Sequence, residues 1–147
     1  MPKIRHIALG TNDPDKTPEF FVKGFGFKET QRFGDFTGKT EGKSYGMYLS
    51  DGTLNLAIIK FGWAQGGKSL DFVGIHHFGI EVDDVDAYTE KLESLGAEFF
   101  IKRPENNDHT FYEVKFVGPE RILMDIAEKP WIGSEPATAK ESELLAK

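Results

Sequence analysis

Two histidines, an asparagine and an aspartate hold matched places in this chain. His6 and His77 stand 71 residues apart, each near the start of a short apolar stretch, "RHIALG" and "HHFGIE". Asn55 and Asp125 stand 70 residues apart, each the one polar residue inside an apolar run, "TLNLAII" and "ILMDIA". A buried carboxylate is costly unless it is paired or bound to a metal. Two neutral imidazoles sharing a divalent cation would give Asp125 that partner. Two His and one carboxylate with open positions suit Fe(II), and are acceptable to Mn, Ni or Zn. Asn55 offers a weaker, neutral fourth ligand, or a hold on a water or substrate oxygen. The plain alternatives are a salt bridge from Asp125 to Arg5, Arg103 or Arg121, and a backbone-bonded amide at Asn55. His109, in the polar loop "RPENNDH", would reach over a pocket mouth as an acid or base, or be an ordinary exposed loop residue.

The elements that must position these residues also come in pairs. Asp13 and Asp84 are 71 residues apart, and Gly26 and Gly96 are 70 apart, so the chain reads as a duplicated module. Each half opens on a strand (3–11 and 75–82), continues into a helix, and closes with further strands (27–33, 45–50 and 53–60; 98–102, 111–117 and 122–127). Asp13, or Thr17 with Pro18 behind it, starts the first helix, and Gly24 ends it. Asp84 caps the second, with Val85, Tyr88, Leu92 and Leu95 on one face and Gly96 at its end. Asp51-Gly52 signals a tight hairpin.

Strand alternation sets the directions. His6 shares a face with Ile4, Ala8 and Gly10; His77 shares one with Ile75, Gly79 and Glu81. The small residues two positions after each His predict open space above both. His76 falls on the opposite face, towards the helices. Tyr45, Tyr48 and Tyr112 read as half-buried strand aromatics. The sequence is thus one domain of module 1 (3–60), linker (61–74), module 2 (75–128) and a polar C-terminal tail (129–147).

Bulk properties limit the function. At 147 residues, 39% hydrophobic with 13 Phe, the chain can build a core. A net charge of -6 argues against nucleic acid. No apolar run is long enough to span a membrane, and the N-terminus lacks a signal-peptide core, so a cytoplasmic location is expected. With no cysteine, disulfides, thiolate nucleophiles and Cys-type zinc sites are excluded.

Three stretches carry a family resemblance. "IRHIALGTNDPDKTPEFFVKGFGFKE" and "GIHHFGIEVDDVDAYTEKLESLGAEF" resemble the two module openings of the vicinal oxygen chelate superfamily (glyoxalase, bleomycin resistance protein, extradiol dioxygenase). "VKFVGPERILMDIAE" resembles its closing motif, with Gly118-Pro119-Glu120-Arg121 replacing the usual turn. The resemblance implies an α+β fold of two βαβββ modules forming a cupped mixed β-sheet, and commonly a homodimer. It places the family's ligands on His6, Asn55, His77 and Asp125. Glyoxalase I has Glu at the positions of Asn55 and Asp125, so only Asp125 remains as an internal base. The expected function is a metal-dependent glyoxalase-like lyase or isomerase. It would act on a small oxygen-rich substrate that chelates a divalent metal, through an enolate or enediolate. The alternatives are an Fe(II) extradiol-type dioxygenase and a metal-free antibiotic-binding protein of the bleomycin resistance type.

Overall fold

The computed structural model describes residues 1–37, 42–105 and 111–134. The order is β1 (Lys3–Gly10), α1 (Thr17–Phe25), β2 (Lys28–Phe33), β3 (Tyr45–Ser50), β4 (Asn55–Lys60), β5 (Gly74–Glu81), α2 (Val85–Ser94), β6 (Glu98–Ile101), β7 (Val114–Val117) and β8 (Leu123–Ala127). All eight strands form one open mixed sheet in the order β2-β3-β4-β1-β5-β8-β7-β6. The repeat is visible in the pairing. β1 runs parallel to β4 as β5 runs parallel to β8, and the first strands of the two halves pair antiparallel at the centre. This is the α+β fold of two βαβββ units expected from the resemblance.

The helices lie on one face of the sheet. Val82, Val85, Val114, Phe116 and Ile126 form a core with Tyr88 and Leu92 of α2. Met47, Leu49 and Ile58 form another with Phe21 and Val22 of α1. The opposite, cupped face carries Ala8, Ala57, Ile59 and Phe61, with Phe33 and Tyr48 against them. Period-2 alternation sorts these core side chains onto the helix side or the cup side.

Boundaries moved where local chemistry was misjudged. Asp84 caps α2, its side chain accepting from the Ala87 N–H at 3.0 Å. Asp13 does not cap α1. It accepts from the N–H groups of Asp15 and Lys16 in a turn ahead of the helix, and Thr17 begins the helix with Pro18 in its first turn. Gly24 lies inside α1, and Gly26, in the left-handed conformation, ends it. That conformation recurs at Gly96 after α2. The hairpin at Asp51-Gly52 is a four-residue loop, since Ser50 pairs with Asn55. The Asp51 carboxylate organises it by accepting from Thr53 and Leu54 N–H groups. The closing turn at Pro119–Arg121 holds Glu120 and Arg121 at φ 56° and 64°.

Candidate metal centre

The site follows from strand register. On the cup side, Asn55 of β4 lies beside His6 of β1, His6 beside Gly79 of β5, Gly79 beside Asp125 of β8, and Asp125 beside Lys115 of β7. Five residues from both halves thus form one row across the sheet. His77 sits one step off the row, opposite Ala8.

His6, His77 and Asp125 converge, with one donor atom from each within 4.8 Å of the others. His6 Nε2 is 3.2 Å from His77 Nε2, His77 Nε2 is 2.9 Å from Asp125 Oδ2, and His6 Nε2 is 3.8 Å from that same oxygen. Ligands held about 2.1 Å from one ion at right to tetrahedral angles lie ~3.0–3.4 Å apart. His77 Nε2 lies at or near this range from both partners, while His6 Nε2 and Asp125 Oδ2 stand wider apart at 3.8 Å, so the donor set is of the two-His, one-carboxylate type with one edge open.

The protons agree with that donor set. The Asn55 side-chain amide donates to Ile132 O at 2.8 Å, which fixes its orientation. Its Oδ1 must then accept from His6 Nδ1, 2.6 Å away, and a neutral His6 is left with a lone pair on Nε2. His77 Nδ1 is 2.7 Å from His76 Nδ1, so one of the two donates. When His77 donates, its Nε2 is free for a cation as well. Asn55 and His76 are thus matched outer partners of the two histidines. Asn55, considered a fourth ligand from sequence, has both ends of its amide engaged elsewhere.

Burial keeps these rings neutral. It pushes His77 and His76 down to about 3, and Lys115 adds to the effect in both. Burial also lowers His6, against the opposing pull of Glu113 and Asp125. Lys115 behaves oppositely: burial works against its charge, but Asp125 and Glu113 outweigh it and raise its pKa. Its Nζ is 3.0 Å from each Asp125 oxygen and 3.2 Å from Glu113 Oε2. The arginine pairings considered for Asp125 are replaced by this lysine. Arg103 pairs with Asp86 and Arg121 with Glu98 at the surface.

The space above Gly79 is filled, contrary to the expectation from its small size. Trp131 lies on it, so a Cβ at residue 79 would come 2.6 Å from the indole. The same ring stacks on His6 at 5.0 Å between centroids and donates from its indole N–H to Glu113 at 2.6 Å. The segment 131–134 is strapped down along the row: Asn55 donates to Ile132 O, and Ser50 Oγ donates to Gly133 O at 2.7 Å. Part of the tail is therefore a wall of the cup. A cavity of about 170 Å³ remains, lined by His6, His77, Glu113, Lys115, Tyr48 and Gln65 among others.

Sequence reading placed His76 on the helix side. It packs on the cup side instead, its ring 3.8 Å from that of Phe61. A bulge explains the difference, because Ala8 pairs with His77 while Leu9 pairs with Ile75, and alternation fails there. Glu113, Lys115, Trp131 and Gln65 were missed as well. The alternation Glu113-Val114-Lys115-Phe116 was a usable signal for two of them. His109 lies outside the described residues.

An open, cupped sheet built from two βαβββ units, with a His-His-Asp cluster on its concave side, defines a class of proteins. The family model described as Glyoxalase/Bleomycin resistance protein/Dioxygenase superfamily matches residues 3–123, and the chain belongs to that superfamily. No curated protein sequence matches it. Solved structures share its fold. A hypothetical protein from Bacillus halodurans C-125 superposes with a TM-score of 0.68 at 14% identity, over 88% of this chain and 96% of that one. A variant of Streptomyces coelicolor methylmalonyl-CoA epimerase, in complex with 2-nitronate-propionyl-CoA, gives 0.66 at 20% identity over 85% and 95%. Methylmalonyl-CoA epimerase from Mycobacterium tuberculosis gives 0.64 at 14% over 98% and 91%. No helix among the described residues is long and apolar enough to cross a membrane.

Proposed function

We propose that this chain is a metal-dependent lyase or isomerase of the glyoxalase kind, acting on a small oxygen-rich substrate through an enolate or enediolate. The observation that supports it is the convergence of His6 Nε2, His77 Nε2 and Asp125 Oδ2, three buried donor atoms from three strands. A bound divalent cation would supply Lewis-acid polarisation of a chelating substrate. The chain's own residues do the rest. Asn55 and His76 hold the histidine rings with Nε2 facing inward. Lys115 steadies Asp125 and carries positive charge into the cavity. Burial pushes the Tyr48 phenol up to about 12, so it stays protonated and serves as a donor. Trp131 closes one side and keeps water from the ligand atoms.

Asp125 is held by Lys115 and turned towards the histidines, so it is assigned the ligand role. Glu113, the other carboxylate lining the cavity, is assigned the movement of the proton. Epimerisation, the activity named for two of the structural neighbours, is proton transfer at carbon without an oxidant. That favours the isomerase reading over the dioxygenase.

The test follows deuterium entering from D2O at the carbon beside the carbonyl, across a panel of small 2-hydroxy and 2-oxo carbonyl compounds with metal-loaded protein. Exchange that disappears in Glu113→Gln while metal binding persists supports the assignment. Oxygen uptake with Fe(II) and a catechol, without deuterium exchange, transfers the chain to the dioxygenase reading.

A further inference from the structure

One short segment beyond the last strand holds several parts of the site at once. Trp131 and Ser134 are each 2% exposed, although both follow β8. The segment closes on itself, because the Trp131 carbonyl accepts from the Ser134 N–H at 2.9 Å and from its hydroxyl at 2.6 Å. Between them Gly133 has a φ of 82°, and a Cβ there would come 2.9 Å from the Ser50 Cβ and 3.2 Å from Thr30. Those neighbours belong to β3 and β2, not to the His-His-Asp cluster. The Ser50 hydroxyl donates to the Gly133 carbonyl at 2.7 Å. The seat of the segment is thus built on the first module, at a remove from the ligand atoms.

What the segment holds is the first histidine. The Trp131 indole stacks on His6 with 1° between the ring planes, which sets the plane of the imidazole. One residue on, the Ile132 carbonyl accepts from the Asn55 amide, and this leaves Asn55 Oδ1 facing His6 Nδ1. Asn55 is fully buried. Without the Ile132 carbonyl, its amide can equally turn over and present the NH2 group to His6 Nδ1. A neutral ring bonded in that way keeps its lone pair on Nδ1 and turns an N–H towards the other ligands. Trp131 also donates to Glu113, so the same segment fixes the carboxylate assigned to the proton. His77 is held differently, by His76 beside it in the chain. Seating the segment and orienting His6 are therefore a single event.

We propose that residues 131–134 are a positioning element of the metal centre, with seating of the segment and binding of the cation coupled through the Ile132 carbonyl, Asn55 and His6. The assignment rests on the metal-site reading above. Such coupling is reciprocal: the factor by which the seated segment raises metal affinity is the factor by which bound metal raises the seating equilibrium. Loss of an outer partner of a ligating histidine costs ~10–100-fold in affinity, which sets the expected size of that factor.

The experiment uses the full chain with and without zinc. It measures zinc affinity by competition with a chelating dye, and amide hydrogen exchange residue by residue by NMR. The Ser134 N–H reports on the segment. The Gly96 N–H, bonded to Glu93 O at the end of α2, reports on a local opening on the helix side. In wild-type protein zinc should slow exchange at Ser134 by at least about tenfold and leave Gly96 unchanged. Gly133→Val drives a side chain into Ser50 and Thr30, so it should speed exchange at Ser134 and weaken zinc binding by at least about tenfold. Equal exchange at Ser134 with and without bound zinc overturns the coupling even if Gly133→Val does not fold. Equal slowing at Ser134 and Gly96 also overturns it, because the ion then stabilises the chain as a whole. So does a folded Gly133→Val protein with fast exchange at Ser134 and wild-type zinc affinity. Failure of wild-type protein to bind zinc at all overturns both this coupling and the metal reading beneath it, whereas the other three outcomes leave that reading standing.

Discussion

Asn55 shows how one residue's role depends on which end of its side chain faces what. Composition and the repeat identified it as the counterpart of Asp125. They left open whether it is a ligand, a hold on a water or substrate oxygen, or a backbone-bonded amide, because that depends on contacts with His6, 49 residues away, and with Ile132, 77 residues away. Replacing Asn55 with Leu removes the acceptor for His6 Nδ1–H. Metal affinity should fall by ~10–100-fold, the usual cost of losing an outer partner. Asn55→Asp retains an acceptor and should lose less. A competition titration against a chelating dye measures both. If Asn55→Leu binds metal as tightly as wild-type protein, His6 does not depend on this hydrogen bond. His6, His77 and Asp125 were legible because each puts a polar group where an apolar one is expected. Lys115 and Glu113 were not singled out, since charged residues alternating in a strand more often face water.

At the scale of elements, the strap at 131–134 is the feature that sequence concealed. Polar composition marked 129–147 as a tail without showing that its first residues build the cup, yet Trp131 is buried at 2% exposure and spans Gly79, His6 and Glu113. Gly79 has its small size so that an indole can lie on β5. Gly79→Ala should therefore destabilise the fold by ~1–3 kcal/mol through overpacking. In a Trp131→Leu background the same change should cost less, because the clashing ring has gone. Urea denaturation of the four proteins forms the double-mutant cycle, and additive costs would place the strap elsewhere. The cap of α2 makes a local control: Asp84→Ala should lose about 1 kcal/mol with no effect on metal binding, as α2 packs on the helix side of the sheet. Helices, strands and their faces were legible because hydrophobic periodicity is local. The bulge at His76 and the seating of the strap were not, because both depend on pairing between distant segments.

For the molecule as a whole, the buried neutral histidines link stability to pH. In the folded chain His76 and His77 resist protonation down to about 3, whereas in the unfolded chain both take up protons below ~6.5. The unfolded state then binds more protons, so their contribution is complete above about pH 6.5 and declines as pH falls towards 3. Each contributes a slope of up to ~1.4 kcal/mol per pH unit in that window. Urea denaturation of chelator-treated protein at pH 7, 6 and 5 should show this loss, and His76→Phe should reduce the slope. Flat stability across the window would mean that the rings are not held neutral. All of these roles depend on the ligand triad, and the most direct test is a metal titration of wild-type protein, His77→Ala and Asp125→Asn across Fe, Mn, Co, Ni and Zn, with folding checked by circular dichroism. One divalent ion per wild-type chain, and at least about a hundredfold loss in both folded variants, is the expected result. Wild-type protein that binds none of these ions above background, or variants that bind as tightly as it does, would contradict the metal centre.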